Sequence, residues 1–373
     1  MAHVFVAPHP DDVALSCGGL IASLRELGQN VTILTAFSGS GAAGSGAAGS
    51  GAAGSNGGNG GLTTYQREAL GFGTKALWPA TEAFNRSSIR ADYPGGPVDT
   101  EWAADDDRLE ATQADADASA KRFWQRASWY RRASIRNKSL AGQAVMDDVS
   151  TQGAVFTDDV VDAATAGEIV AARRVEDERF AYFAEASVVF LDLPDAVFRG
   201  YEGDEQLLGP VREDDDAPVS ILRREIARLE PSYVYFPLGV GNHVDHQLCR
   251  DAGVSLLAEP QSWVMPGPDW PGRVVFYEDF PYAYWNGFQT LEELPAGALD
   301  GIPAGIGLTP HYADIADQLE RKVRGIAMYE SQIDRLFGGQ REMADAVRKH
   351  AQSVGTVGRV GAPAERYWHS FVP

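Results

Sequence analysis

Residues 3–38, "HVFVAPHPDDVALSCGGLIASLRELGQNVTILTAFS", decide the fold. "HVFVAP" (3–8) reads as a short buried strand. "GGLIASLREL" (18–27) carries apolar residues at helical spacing, with Gly28 as its C-cap. "NVTILTAFS" (30–38) is a second strand, rich in β-branched residues. Strand, helix and strand joined by short connections make a βαβ unit, so the two strands are predicted to be parallel neighbours.

The rhythm then stops. Residues 39–61, "GSGAAGSGAAGSGAAGSNGGNGG", cannot build a core and read as a flexible linker. Residues 62–165 show scattered aromatics among many Asp and Arg, with no convincing strand. They read as a long insertion after strand two, either folding in part over the site as a lid or substrate wall or forming a peripheral, partly disordered elaboration. The alternation resumes with a helix over 166–186, a strand over 187–195 and a helix over 218–230 that Pro231 stops. A strand over 232–239, a helix over 244–258 and a strand over 272–282 follow, then one long amphipathic helix over 313–337. This is an α/β fold with a mostly parallel sheet.

Bulk properties exclude several functions. The 373 residues are 44% hydrophobic, enough for a large core. Lys+Arg 32 against Asp+Glu 52 gives a formal charge of −20, which repels phosphate backbones and anionic lipid surfaces, so no nucleic acid partner is expected. Two cysteines, Cys17 and Cys249, make no disulfide framework and suit a reducing cytoplasm. The first residues meet charge too early for a signal peptide, and no run is long enough for a membrane span. "CGGLIA" lacks the dinucleotide fingerprint.

Two polar clusters remain. His9-Pro10-Asp11-Asp12 follows strand one, and "GNHVDH" (241–246) follows the strand 232–239. Ligands of parallel sheets bind beyond the carboxyl ends of the strands, so both clusters fall on one rim. Taken singly, each also reads as turn and capping chemistry around a buried histidine. Taken together, they form a candidate metal centre. Residues three apart can converge, so His9, Asp12 and His246 are the expected ligands. Two imidazoles and a carboxylate with positions left for water form a catalytic zinc set. Asp11 is left beside the ion as a general base. His243 is a spare imidazole to stabilise an oxyanion or protonate a leaving amine, and Asp245 is set to orient a histidine. Gly18 and Gly19 let backbone or substrate pass close to the site and open the first helix without side-chain obstruction.

"PHPDD", the following "GG" and the distal "HVDH" resemble the PIG-L/LmbE-type zinc-dependent N-acetylglucosaminyl deacetylases. "RRVED" (173–177) followed by "FLDLPD" (190–195) is similar to a helix–strand stretch of that family. The resemblance covers residues 3–38 and about 166–258. It implies a Rossmann-like three-layer αβα fold in one domain, 1–38 with 166–373. It also implies Zn2+ or another divalent metal such as Fe2+, and removal of an acetyl group from an amino sugar or glycoconjugate. Asp11 matches the family's base, His9, Asp12 and His246 its ligands, and His243 its second-cluster histidine. Arg173 or Arg174 matches a substrate-contacting arginine. Two features depart from the family: Gly241 stands where some members have a tyrosine, and the segment 39–165 is longer than usual. The rival readings are an amidase for a non-sugar or thiol-conjugate amide and a non-catalytic metal- or sugar-binding protein. The implied partners are the small-molecule substrate and, as a homo-oligomer, further copies of the chain.

Several other residues carry weaker readings. Glu278, Asp279 and Tyr282 could meet substrate hydroxyls, although a strand end with capping acids is the default. Lys322, Tyr329 and Trp368 read as packing residues, and both cysteines as buried structural thiols.

Overall fold

The computed structural model describes residues 1–40, 163–258, 273–285 and 301–371. The linker-like stretch beyond Ser40, and the lid expected of the insertion, lie outside them. The described residues fall in one compact unit. They build a seven-stranded sheet in the order β3-β2-β1-β4-β5-β7-β6.

Strand β1 (Ala2–Ala7) pairs in parallel with β2 (Asn30–Thr35), from Ala2 opposite Asn30 to Ala7 opposite Thr35, as the βαβ reading requires. On its other side β1 pairs in parallel with β4 (Tyr233–Pro237). Strands β3 (Ser187–Phe190) and β5 (Val274–Tyr277) extend the parallel set outward. The direction of chain progression therefore reverses between β1 and β4, which is where an open α/β sheet opens its crevice.

Side chains of these strands alternate between two cores. Val4, Val6 and Leu34 pack with Leu222 and Ile226 of α3 (Ala217–Leu229) and with Leu248 and Ala252 of α4 (Val244–Leu257). Phe5, Ala7 and Ile33 face the opposite layer. There they meet Ile21 of α1 (Asp12–Glu26) and Phe180 of α2 (Ala163–Phe183). Ile326 of α5 (Leu319–Ile326), Ile333 of α6 (Glu330–Leu336) and Val347 of α7 (Gln340–Val357) complete that layer. A strand apolar on both faces demands a helix layer on each, so the three-layer architecture follows.

Two expectations need correction. The helix expected over 313–337 is broken. Residues up to Asp314 belong to β6 (Gly307–Asp314), a short 3-10 turn spans Ala316–Gln318, and α5 and α6 are separate. Apolar spacing runs on through the break at Tyr329, whose φ of −92° and ψ of 59° are not helical. The antiparallel strand β7 (Ala364–Phe371) and the edge strand β6, which pairs antiparallel with it, were not expected. Pro310 and an exposed middle disguise β6 as loop.

Candidate metal centre

The turn from β1 into α1 carries the first cluster. Asp11 is the N-cap of α1, yet its side chain makes no capping bond. Its φ of 105° is a conformation that non-glycine residues rarely adopt, costing of order 1–3 kcal/mol. The capping explanation of the Asp11 side chain thus fails. Asp12 opens the helix, and its Oδ2 accepts the His9 N–H at 2.8 Å. Buried Val13 and Leu15 anchor this turn to the core.

The second cluster opens α4 after β4. His243 is its N-cap, and Nδ1 accepts the Asp245 N–H at 3.2 Å. One helical turn brings His246 inward, where it is 1% exposed.

Pairing of β1 with β4 joins the clusters. Ligand atoms of His9, Asp12 and His246 lie within 4.8 Å of one another, as do those of His9, His243 and Asp245. Asp12 Oδ2 is 3.4 Å from His9 Nδ1 and 3.4 Å from His246 Nε2. The opposite nitrogens are engaged. His9 Nε2 meets Asp245 Oδ2 at 2.8 Å, and His246 Nδ1 meets Asp279 Oδ1 at 2.6 Å. A carboxylate only accepts, so each outer nitrogen is the N–H donor, and in the neutral ring each inner one carries the lone pair.

Charge separates the two groupings. Asp245 is completely buried and already paired with the Arg199 guanidinium at 2.6 Å, a fixed positive charge that opposes a cation there. Among the described residues Asp12 has no such partner. Burial alone would lower the pKa of His9, but Asp195, Asp12 and Asp245 outweigh it and raise it to about 9. Burial likewise opposes the charged form of His246, yet Asp12 and Asp279 push its pKa well above the ordinary histidine range. The carboxylates ask for positive charge where the lone pairs converge. One divalent cation would supply it in place of two protons, so the donor set fits a metal.

Asp11 behaves differently from Asp12. Burial, reinforced by the Asp12 carboxylate, raises its pKa to about 8. Burial also works against ionisation of Asp12, but His246 and His9 hold it far below the usual carboxylate range. Burial and neighbouring His9 lower the pKa of His243 to about 3, so this imidazole is neutral.

Other expected site residues lie elsewhere. Asp245 sits behind His9 as its orienting partner, with no exposed surface for substrate. Arg173 is buried; its Nη2 donates to the Pro10 carbonyl at 3.3 Å and lies 3.7 Å from Asp11 Oδ1, so it backs the strained turn. Arg174 instead ion-pairs with Asp192 over the Phe190 ring. Gly18 and Gly19 are interior to α1 and do not open it. A Cβ at Gly19 would lie 2.6 Å from Ile315 Cγ2, and one at Gly18 3.1 Å from Lys322 Cγ, so their small size serves packing against the helix layer. Cys17 and Cys249 are buried free thiols.

Asp279, Asp195 and Arg199 were not expected in these roles. Asp279, just past β5, also accepts the N–H groups of Gly239 and Val240 at 2.8 and 2.9 Å, so it fixes the loop ahead of His243 as well as His246. Asp195 Oδ2 is 3.5 Å from His9 Nε2. Their one sequence signal is position after a strand's carboxyl end. Glu278 turns away to Arg366 and Trp368, whereas the Tyr282 ring stands edge-on to His246 with centroids 5.7 Å apart. That ring fills the space beside Gly241, where a Cβ would lie 2.5 Å from it.

The resemblance to PIG-L/LmbE-type deacetylases extends to known proteins. A family model described as GlcNAc-PI de-N-acetylase matches residues 4–73. The 2'-N-acetylparomamine deacetylase of Streptomyces fradiae is 31% identical over 147 residues, 39% of this chain and 47% of that protein. The match thus spans about half the length of that relative. A solved deacetylase–bog complex from the biosynthesis pathway of teicoplanin aligns with 100% of this chain and 99% of its own at TM-score 0.53 and 17% identity. The zinc-inhibited form of teicoplanin deacetylase aligns over the same shares at TM-score 0.52 and 17% identity. These two structures share the fold. Among the described residues no helix is long and apolar enough to cross a membrane.

Proposed function

We propose that this chain, a relative of the PIG-L-type deacetylases, is a zinc-dependent hydrolase that removes the N-acetyl group from an amino sugar or glycoconjugate. The observation that carries the reading is the convergence of His9, Asp12 and His246 within 4.8 Å beside an Asp11 that neither caps its helix nor belongs to that trio.

His9, Asp12 and His246 would hold the cation. When bound, it supplies Lewis acidity to the amide carbonyl and to the attacking water. Asp11 acts as the general base that takes the water's proton, and its raised affinity for protons suits that task. With the site loaded, Asp11 would be ionised before attack, ready to take the proton. His243 spends Nδ1 as an acceptor, so Nε2 presents N–H, and the neutral ring donates a hydrogen bond to the developing oxyanion. The departing amine then collects its proton from Asp11. Asp245 and Asp279 keep the two imidazoles in the ligating tautomer.

The test is acetate release from a panel of N-acetyl amino sugars and simple acetamides, with protein stripped by chelator and reloaded with zinc. Zinc-restored turnover on the sugars is expected. Turnover confined to non-sugar amides would favour the amidase rival. Zinc uptake without acetate release would leave a binding protein.

A further inference from the structure

We propose that Arg199 is a positioning residue for the metal centre: anchored on Asp215, it fixes the Asp245 carboxylate that orients His9. The inference rests on the metal-centre reading above.

Asp245 divides its two oxygens. Oδ2 receives His9 Nε2 at 2.8 Å and the Ala196 N–H at 3.1 Å, while Oδ1 receives Arg199 Nη2 at 2.6 Å. The other guanidinium contacts hold Arg199 still. Nε donates to both oxygens of Asp215 at 3.1 and 3.0 Å, and Nη1 to the Pro194 carbonyl at 2.6 Å. Tyr201 Oη donates to Asp215 Oδ2 at 2.9 Å, securing the anchor from its far side. The guanidinium also lies over the Phe37 ring, 4.6 Å from its centroid. Phe37 follows β2, Arg199 and Asp215 follow β3, Asp245 follows β4 and His9 follows β1. One side chain thus ties four strand ends together behind a single ligand.

Arg199 has no polar contact with His9, Asp12 or His246 and acts through Asp245. Without it, Oδ1 loses its partner, the carboxylate turns about χ2, and the His9 ring loses the fixed acceptor that keeps Nδ1 aimed at Asp12. A planar fork can span Asp215, Pro194 and Asp245 together, whereas a lysine ammonium cannot.

The test is a double-variant cycle read by zinc affinity in chelator competition, with thermal unfolding of each metal-free protein as control. Arg199→Met is expected to weaken zinc binding about 10-fold and Asp245→Asn about 10- to 100-fold, the range for partners that orient a ligand. The double variant should bind no more weakly than Asp245→Asn alone, because Arg199 works through that residue. Arg199→Lys should match Arg199→Met in affinity while unfolding near the wild-type temperature, a pattern that a merely structural role does not give. Should Arg199→Met fail to fold, Asp215→Asn releases the guanidinium from its anchor and should weaken zinc binding several-fold. Wild-type affinity in the Arg199 variants, or losses that multiply in the double variant, would overturn the proposal while leaving the metal centre standing. A wild-type chain that takes up no zinc would overturn the metal reading and this inference with it.

Discussion

Lys322 and Glu365 form an ion pair at 2.7 Å, each about as buried as His9, Asp12 and His246, and both groups press on α1. The difference between them is satisfaction. Glu365 Oε1 accepts from Gly19 N–H and Lys322 Nζ, and Oε2 from Leu20 N–H and Tyr367 Oη. Lys322 Nζ also lies 3.3 Å from the Ser16 carbonyl. Charges match one to one, and both Glu365 oxygens accept two hydrogen bonds each. At the other end of α1, Asp11 and Asp12 adjoin, Asp11 is strained, Arg173 Nε is buried without a partner, and two imidazoles are pulled toward the charged form. Burial of charge is common to both, whereas unrelieved conflict marks only the rim cluster as a site.

The sharpest way to break this comparison is to relieve the conflict. Asp11→Asn should retain zinc yet lower kcat about 10²- to 10⁴-fold, roughly 2.7–5.5 kcal/mol, in an acetate-release assay. It should also stabilise the metal-free protein progressively from about pH 4, and fully above about pH 8, because the substitution removes a carboxyl whose ionisation burial opposes. Destabilisation with unchanged kcat would put Asp11 in the same class as Glu365. Lys322→Met is the converse. It strands Glu365 and should cost about 3–5 kcal/mol in urea unfolding while zinc affinity stays at the wild-type value. Gly19→Ala forces a Cβ toward Ile315 and should cost about 1–3 kcal/mol in the same measurement, with KM unchanged. Asp279→Asn probes the rim from outside. Zinc affinity should fall about 10- to 100-fold, roughly 1.4–2.7 kcal/mol, in chelator competition.

A pH series sharpens the contrast further. The folded-state pKa of His9, about 9, lies above the ordinary histidine value. Its contribution to stability of the metal-free chain is therefore complete below about pH 6.5 and is lost as pH rises through about 9. Asp11 is also raised, to about 8, so folding binds a proton between about pH 4 and 8 and stability falls across that window. Zinc must displace these protons. Its affinity should strengthen from pH 6 to 8 by up to about one decade per unit for each proton released, and pH-indicator titration would count them.

Much of this was legible in residues 3–38 because the alternating strand residues and the helical spacing of α1 state their own partners. The two histidine clusters were legible because each follows a strand, and the parallel rule sends both to one rim. Asp279, Asp195 and Arg199 were not, since a single polar residue in a loop has no period and its partner lies tens to hundreds of positions away. Glycines 18 and 19 misled for a related reason. Sequence tells that a side chain is missing there, but the neighbour that needs the room, Ile315, arrives from the far end of the chain. The break between α5 and α6 was hidden because Val323, Ile326, Ile333 and Leu336 keep a helical period across it.

Gly39 has a consequence of its own. It forms a parallel bridge with Pro194, and a Cβ at this position would lie 2.3 Å from the Asp192 carbonyl. Together with the bonds of Ala36 to Ala7 and Phe37 to Pro8, that clasp moors the outgoing chain before Ser40. The strand register is complete on the sheet side of the mooring. The scaffold's joinery at this corner is therefore closed within the sheet's own residues, between Ala36 and Pro194.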